Sequence, residues 1–274
     1  MTSAGTLYEA LQAQGGGSGL LTYVSATQIK FAPYNGSFIR IEGEWATIPS
    51  GGITAANTSV YVNGVASQNL AGSTNYFVYL FDNAGTPTID FSTTGHVTSA
   101  TAYNVGTEIK SGTESRSLIG YIRTNASAQF VDAAGSRFVR SWFNRNVERL
   151  GMAIGRGTQF TTTSTSFVTL AMLVDFLTWE DEIVTVSLAA NAFNTAGNAW
   201  ATTFWWDGAA TSANHGAYAS DGSGNWTANS YAESKMLTEG YHTVTPAVRN
   251  VSGTGLTIGG GAPGVYPSLT ARIN

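Results

Sequence analysis

Apolar and polar side chains alternate with a period of two along most of the first half of the chain. Gln28–Phe31 and Phe38–Glu42 show this alternation, which is typical of strands with one buried face. The Asn63-Gly64 pair, flanked by β-forming residues, predicts a hairpin with a two-residue turn. Short strands separated by Gly, Asn and Pro predict a β-sandwich or barrel over residues 21–133.

The period of two resumes at Phe160 and continues towards the end of the chain. Ala201–Gly208 predicts a strand that runs into a tight turn. Three closing strands are predicted in succession, at Met236–Val244, Leu256–Ile258 and Ser268–Ile273. Residues 159–274 are therefore predicted to form a second β domain, and the expected fold class is all-β.

The N-terminal segment of residues 1–20 departs from this pattern. Thr6 and Glu9 form a Thr-x-x-Glu capping box that predicts a short helix, and residues 15–19 form a glycine-rich hinge. Because a helix this short is marginal alone, we expect it to dock on a larger assembly. The predicted docking residues are Leu7, Tyr8 and Leu11. A frayed terminus without a partner is the alternative.

Residues 134–158 also depart from the alternation and separate the two predicted domains. Four arginines lie here among large apolar side chains: Arg137, Arg140, Arg145 and Arg149 beside Phe138, Trp142, Phe143 and Leu150. We interpret the segment as a short helix or rigid connector whose aromatic side chains pack on a domain and whose arginines face solvent. Pairing of these arginines with carboxylates between three chains is the alternative.

Composition narrows the functional classes. Of 274 residues, 43% are apolar and only 11% are charged, with a net charge of −4. The 13 Lys and Arg residues are scattered, so we expect no nucleic-acid binding. The sequence contains no Cys, which excludes disulfides and thiolate chemistry. We expect no signal peptide and no membrane insertion, since no leader pattern and no run of 18 apolar residues occurs.

Catalytic motifs are absent from the sequence. The histidines His96, His215 and His242 lie in no HExxH motif and at no zinc-ligand spacing, and no GxSxG or phosphate-binding loop occurs. Ser212, His215 and Asp207 can be written as a Ser–His–Asp set, but any loop this polar offers one. We therefore expect no enzyme, no cofactor and no metal, and we interpret His242 as a buried, hydrogen-bonded strand residue.

The densest acidic cluster surrounds Trp179 and consists of Asp175, Glu180, Asp181 and Glu182. Two carboxylates across a cleft would suit hydrolysis of a polysaccharide, and oxygen ligands would suit Ca²⁺. The spacing does not match an EF-hand loop. We favour a solvated turn between strands over both of these interpretations.

Aromatic side chains in the second domain indicate a binding surface. Four of the seven tryptophans lie close together, at Trp200, Trp205, Trp206 and Trp226. Flat rings cover the apolar faces of sugars, and amides and carboxylates bond to the hydroxyl groups. The predicted ligand-binding residues are Trp226, Tyr218, His215, Asp221, Asn225 and Tyr231. Because strand neighbours point to opposite faces, we expect one of Trp205 and Trp206 to lie in the core, and a core position for Trp200 is the alternative to exposure.

Two stretches of the chain resemble known proteins. The region from Leu21 to about Phe130 resembles a domain of phage tail-fibre and related virion proteins, through Asn75–Phe81, Phe91–His96 and Ser117–Thr124. Gly135–Asn144, with its Arg140–Asn144 motif, resembles the joint that follows that domain. Leu237–Ile273, with a terminal Leu-x-Ala-x-Ile, is similar to the closing strands of trimeric jelly-roll heads.

This resemblance implies a homotrimer with a jelly-roll C-terminal domain that contacts a host surface. The resulting hypothesis is a structural and adhesive component of a phage virion, assembled in the bacterial cytoplasm, with another virion protein at its N-terminus and a host surface glycan as ligand. Three alternatives remain: a capsid decoration or head-fibre protein, a polysaccharide-degrading tip enzyme, and a free-standing bacterial carbohydrate-binding module.

Overall fold

The computed structural model describes residues 17–153, 159–194, 198–210, 215–219, 227–252, 255–259 and 267–274. Within these residues the protein is all-β, with 27 strands and no helix. No helix able to span a membrane therefore lies in this part of the chain. The strands fall into two compact units. Unit 1 comprises the described residues up to Asp132 together with Phe138–Asn146, and unit 2 comprises Ala133–Arg137 and the described residues from Val147 onward.

The strands are numbered in chain order. The first twelve are β1 (Leu20–Ser25), β2 (Gln28–Ala32), β3 (Phe38–Ile41), β4 (Glu44–Thr47), β5 (Ile53–Ala56), β6 (Val60–Val62), β7 (Val65–Gln68), β8 (Asn75–Asn83), β9 (Thr86–Ser92), β10 (His96–Thr98), β11 (Glu108–Lys110) and β12 (Thr113–Arg123). The others are β13 (Asp132–Ala133), β14 (Ser136–Arg137), β15 (Val139–Ser141), β16 (Glu148–Ala153), β17 (Phe160–Thr162), β18 (Val168–Thr169), β19 (Val174–Thr178), β20 (Ile183–Asn194), β21 (Ala199–Trp206), β22 (Ala209–Ala210), β23 (His215–Ala219), β24 (Thr227–Met236), β25 (Gly240–Asn250), β26 (Leu256–Ile258) and β27 (Ser268–Ile273).

Unit 1 is built around one large sheet. Its strand order is β10-β11-β12-β8-β9-β6-β7, and β15 pairs with β12. Strands β1, β2 and β5 form a smaller antiparallel sheet, and β3 and β4 form a hairpin. Alternation along β8 places Tyr76, Val78 and Leu80 in a core with Phe31 and Ile119. Each such buried apolar side chain contributes about 1.5–3 kcal/mol of stability.

Four hairpins among the described residues turn on a residue of positive φ followed by glycine, at Glu42-Gly43, Asn63-Gly64, Ala84-Gly85 and Asp207-Gly208. Asn63 and Gly64 have φ angles of 53° and 82° and join β6 to β7, which confirms the hairpin predicted from the Asn-Gly pair. Asp207 and Gly208 have φ angles of 53° and 74° and join β21 to β22. A two-residue turn with both φ angles positive matches the right-handed twist of the flanking strands.

Two sheets enclose the core of unit 2. The first has the order β13-β14-β19-β25-β21-β22, with β18 on β25 and β23 on β21. The second has the order β16-β27-β20-β26-β17, with β24 on β20. Val184, Val186 and Leu188 of β20 face a core that they share with Phe176 and Phe204 of the first sheet. Strands β26 and β27 lie where the sequence predicts two of the closing strands.

The connector helix predicted between the domains is wrong for the described residues. Strands β14, β15 and β16 form there instead. Val139–Ser141 pairs with β12 and Glu148–Ala153 pairs with β27, so the backbone hydrogen bonds are made to distant strands. Such partners are invisible to the periodicity of the segment itself, and tertiary pairing overrides local preference. The solvent-facing position predicted for Arg140 is also wrong, because this residue is only 3% exposed.

Candidate functional site

The ligand-binding surface predicted from the sequence falls only partly within the described residues. Trp226, Asp221 and Asn225 lie outside them, as does the predicted N-terminal helix with its docking residues Leu7, Tyr8 and Leu11. His215 and Tyr218 lie on β23, opposite Thr202 and Trp200 of β21. The structure thus brings these two candidates onto one strand of the first sheet of unit 2.

Tyr231 lies on β24 and packs against the core of unit 2. Its ring stacks on Phe204, with ring centroids 5.2 Å apart and planes at 24°. Its hydroxyl group donates a hydrogen bond to Oε2 of Glu233 at 3.3 Å. One face of the Tyr231 ring is therefore covered by Phe204 and is closed to a ligand.

The tryptophans of β21 serve mainly as core residues. Trp200 is fully buried and Trp206 is 3% exposed, whereas Trp205 is half-buried. This division follows from the strand alternation, because Trp205 and Trp206 point to opposite faces. Lys235 lies 5.4 Å from the ring centroid of Trp206. The density of aromatic residues at these positions reflects packing between the two sheets.

His242 is a buried, hydrogen-bonded residue of β25, as its position in the sequence predicts. It is 6% exposed, with Nδ1 2.9 Å from Oδ2 of Asp207 and Nε2 2.8 Å from the carbonyl oxygen of Thr238. The other carboxylate oxygen of Asp207 accepts a hydrogen bond from the backbone N–H of Thr243 at 2.8 Å. Both oxygens of Asp207 are thus engaged within the fold, which argues against their use in a Ser–His–Asp set.

The acidic cluster around Trp179 forms a turn between β19 and β20. Glu182 is buried and accepts a hydrogen bond from the backbone N–H of Trp179 at 2.9 Å, whereas Glu180 and Asp181 are exposed. Asp175 lies apart on β19, where two hydroxyl groups donate to its carboxylate. Among the described residues, no group of three or more His, Asp or Glu side chains is arranged to hold a metal ion.

An open cleft lies in unit 1 between β5 and the neighbouring strands β6 and β9. Its volume is about 360 Å³, within the range of about 300–1,000 Å³ typical of small-ligand sites. Tyr61 of β6 lines the cleft, and its ring is held edge-on by Phe81 at a centroid distance of 5.1 Å. The lining residues are Ile53, Thr54, Ala55, Ala56, Thr58, Ser59, Val60, Tyr61, Pro87, Thr88 and Ile89.

The lining of this cleft is uncharged. Thr54, Thr58, Ser59 and Thr88 bring hydroxyl groups, which both donate and accept hydrogen bonds, and Tyr61 brings aromatic surface. An apolar wall with a few hydroxyl groups suits a neutral, polyhydroxylated ligand. Sequence analysis missed the cleft, because its residues are common types on three separate strands. The one sequence feature that could have pointed to the cleft is Tyr61, an aromatic residue close to the Asn63-Gly64 turn.

A second cluster in unit 1 combines aromatic rings with an ion pair, and one of its rings, Trp142, also packs against the core. Nδ1 of His96 lies 2.6 Å from Oε2 of Glu108, and the His96 ring lies 5.3 Å from the Trp142 ring. The guanidinium of Arg145 lies 4.3 Å from the centroid of Trp142. Phe77 packs edge-on against His96 at 5.4 Å. Since the rings cover one another, the cluster fastens strands together and offers little free aromatic surface.

Two carboxyl groups near this cluster have lowered pKa values. Burial raises the pKa of Glu108, but hydrogen bonds to His96 and Thr98 and the charges of His96 and Arg145 outweigh burial and hold the pKa below its ordinary value. Burial likewise raises the pKa of Glu114. Hydrogen bonds from Thr101, Asn104 and Ser99 outweigh burial and hold this pKa below its ordinary value. Both carboxylates therefore hold their surroundings in place as anions.

Comparison with known proteins identifies no family. No protein-family model and no curated protein matches the chain. Among solved structures, the insecticidal delta-endotoxin Cry8Ea1 from Bacillus thuringiensis is 8% identical with a TM-score of 0.28, over 97% of this chain and 55% of that chain. The chain thus spans about half the length of that toxin.

Two further similar structures come from infectious bursal disease virus. Its VP2 subviral particle is 12% identical with a TM-score of 0.30, over 93% of this chain and 74% of that chain. The structure of the Gx strain is 14% identical with a TM-score of 0.27, over 94% and 74%. These likenesses are weak and point to no specific family.

Proposed function

We propose that the chain is a structural and adhesive component of a bacteriophage virion, a tail fibre or receptor-binding tip that contacts a glycan on the host surface. In this proposal the virion carries it as a homotrimer, tied to another virion protein through its N-terminal segment. The resemblance of Asn75–Phe81 and Leu237–Ile273 to fibre and jelly-roll segments supports the proposal. So does the low charged fraction of 11%, which suits an exposed adhesive surface.

The observation that carries the binding role is the uncharged cleft beside Tyr61. A sugar ring has apolar C–H faces and several hydroxyl groups. The Tyr61 ring matches the apolar faces, and the hydroxyl groups of Thr58, Ser59 and Thr88 match the polar edge. The hydroxyl groups of a neutral glycan can exchange their hydrogen bonds to water for bonds to these side chains, whereas a charged ligand would find no oppositely charged side chain in the lining.

We assign the cleft a binding role and no catalytic one. Hydrolysis of a glycosidic bond generally requires two carboxyl groups on opposite sides of the bond. The cleft lining contains neither Asp nor Glu. Incubation with a bound polysaccharide is therefore expected to release no new reducing ends, and their appearance would favour the alternative of a polysaccharide-degrading tip.

Exposed apolar side chains of unit 2 support self-association. Leu173 is 43% exposed and Met152 is 39% exposed, and the backbone nitrogen of Leu173 lies 3.3 Å from Sδ of Met152. Covering these two adjoining apolar groups with a second copy would remove apolar area from water, which favours contact between copies. In a trimeric tip, three weak glycan sites would act together and gain avidity.

The binding role is tested by blocking the cleft. Thr54 and Thr22 flank Lys30 in the same cross-strand row, but only Thr54 lines the cleft. Thr54→Arg is expected to abolish binding on an array of bacterial surface glycans, and Thr22→Arg is the matched control that retains it. Equal binding by both variants, with unchanged thermal unfolding, would remove the cleft from the proposal.

Assembly and location have separate tests. Mass measurement in solution is expected to give three copies, and Leu173→Asp is expected to lower that mass. A wild-type monomer would contradict the homotrimer. Electron cryomicroscopy of the particle is expected to place the protein on the tail, and density on the head would favour the capsid-decoration alternative.

A further inference from the structure

Two arginines stand directly opposite each other on the exposed face of the second sheet of unit 2. Arg149 of β16 pairs with Arg272 of β27, and both side chains are exposed. Opposite residues of antiparallel strands share one face, with Cβ atoms about 4.5–5.5 Å apart. Like charges in this arrangement destabilise a sheet, so the pair costs stability unless an anion lies between them.

The side chains paired alongside on this face carry no negative charge. In the strands paired alongside, the outward positions are Ser268, Thr270, Thr185, Ser187, Ala189, Ser230, Ala232 and Ser234. None of them is acidic. The neighbouring Glu148 belongs to the opposite face and lies 3.7 Å from Arg137. Among the described residues, neither Arg149 nor Arg272 has an ion pair or a side-chain hydrogen bond.

Gly151 leaves a gap beside the two guanidinium groups. It lies opposite Thr270, one step further along the same face. A Cβ at Gly151 would meet its nearest atoms, in Leu269 and Thr270, at 3.9 Å, so neither space nor backbone angle requires glycine there. Glycine inside a strand weakens the strand and often marks a bulge, a bend, or the close approach of a ligand or of another backbone. The register of β16 on β27 has no bulge at Gly151, and the N–H of Gly151 donates to the carbonyl oxygen of Ala134 at 2.7 Å. The gap is therefore available to a group held by Arg149 and Arg272.

We propose that this face binds a polyanionic glycan, with a sulfate, phosphate or carboxylate group held between Arg149 and Arg272. Guanidinium groups match such oxyanions with paired hydrogen bonds. Thr270 and Thr185 flank Arg272 on the same face, and their hydroxyl groups serve the sugar hydroxyls; that of Thr185 is also hydrogen-bonded to Ser234 at 2.8 Å. The inference rests on the proposed adhesive role and adds a second, charged ligand class to it.

The alternative occupant is a second copy of the chain. Face-to-face packing of two copies would bring four arginines together, which disfavours it. The net charge of −4 also matters, because a polyanion is repelled by the molecule as a whole. Binding of a polyanion must therefore come from a local site such as this arginine pair.

Dextran sulfate is the first probe, with neutral dextran as the matched control for the polymer backbone. The full chain is expected to bind dextran sulfate, more weakly as ionic strength rises, and not to bind dextran. Polygalacturonate and polyphosphate replace sulfate by carboxylate and phosphate, and their relative affinities identify the preferred oxyanion. Absence of binding to all three polyanions would overturn the proposal.

The variants are Arg149→Gln and Arg272→Gln, with Lys30→Gln in unit 1 as the control for the same loss of charge. Each arginine variant is expected to lower the affinity about tenfold, and Lys30→Gln is expected to leave it unchanged. Gly151→Leu is expected to fill the gap and weaken binding without loss of thermal stability. Equal weakening by Lys30→Gln would indicate a general charge effect and would overturn the site.

Two outcomes separate this inference from its rivals. A changed solution mass in the arginine variants would assign the pair to a contact between copies and would overturn the glycan site. Failure of every polyanion to bind, while Thr54→Arg still abolishes glycan binding, would remove this site and leave the proposed adhesive function intact. If Thr54→Arg leaves glycan binding intact while the polyanions still bind, the cleft would be removed from the proposed function and the arginine site would stand.

Discussion

Nδ1 of His96 lies 2.6 Å from Oε2 of Glu108, and this contact bridges β10 and β11. The hydroxyl group of Thr98 donates to the other oxygen of the same carboxylate. Both contacts favour the ionised form of Glu108. The lowered pKa of this group is thus linked to the folded arrangement of the hairpin.

Acidification is expected to destabilise this part of unit 1. Because the pKa of Glu108 is lower in the folded state than the ordinary value of 4.5, the folded state binds fewer protons than the unfolded chain in the acid range. The stabilisation is fully present above the ordinary value and is lost as the pH falls through the folded pKa. Thermal unfolding of Glu108→Gln is expected to depend less on pH than that of the wild type.

Glu44→Gln provides the control for this experiment, since Glu44 is an exposed carboxylate on β4 of the same unit. Its pH profile is expected to follow that of the wild type. A wild-type profile in Glu108→Gln as well would contradict the role assigned to the contacts with His96 and Thr98.

Gly120→Ala is expected to destabilise unit 1 strongly. A Cβ at this position of β12 would lie 2.3 Å from Cδ2 of Leu21 and 2.5 Å from the carbonyl oxygen of Arg140. Such overpacking costs about 1–3 kcal/mol, and more where backbone must move. Gly151→Ala is the matched control, whose nearest neighbours would lie at 3.9 Å. Denaturant midpoints that fall equally in both variants would contradict this account.

The all-β class follows from the sequence because strand alternation and turn chemistry are local signals. The Asn63-Gly64 hairpin and the closing strands at Leu256–Ile258 and Ser268–Ile273 lie where these signals place them. The segment at Val139–Ser141 could not be predicted in this way. Its strand depends on β12, a partner some twenty residues away.

The candidate sites show the same limit. Tyr61 and Pro87 come to line one cleft only because β6 pairs in parallel with β9, which no local pattern encodes. Arg149 and Arg272 are 123 positions apart in the numbering and meet only through the pairing of β16 with β27. The sequence does mark the aromatic density of β21, but packing between sheets places Trp200 in the core.

Asp207→Ala is expected to lower the stability of unit 2 by about 1–3 kcal/mol. The change removes the acceptor for Nδ1 of the buried His242 and for the backbone N–H of Thr243. Asp207→Asn is expected to lose less, since the amide keeps one acceptor oxygen. Glu180→Ala, at an exposed turn of the same unit, is the control and is expected to change stability by less than about 0.5 kcal/mol. Urea unfolding with equal losses in Asp207→Ala and Glu180→Ala would contradict the assignment.

Substitutions in the buried ion pair of Asp90 and Arg116 test both the stability of unit 1 and ligand binding in the cleft. Oδ2 of Asp90 accepts a hydrogen bond from Nε of Arg116 at 2.9 Å, and Oδ1 accepts one from the backbone N–H of Gly64 at 2.9 Å. Arg116→Met leaves a buried carboxylate unpaired, so a loss of about 3–5 kcal/mol is expected. The double variant with Asp90→Asn is expected to lose less than the sum of the two single losses, because the residues interact.

If the stability loss of the double variant equals the sum of the losses of the two single variants, the side chains of Asp90 and Arg116 do not interact. Asp90 also holds the turn that ends β6, and it lies opposite Tyr61 in the parallel pairing with β9. Without Arg116 to hold the Asp90 carboxylate, that turn is expected to loosen and Tyr61 is expected to shift in the cleft. Arg116→Met should therefore weaken glycan binding even at temperatures well below its unfolding midpoint, whereas Asp207→Ala in unit 2 should leave that binding unchanged.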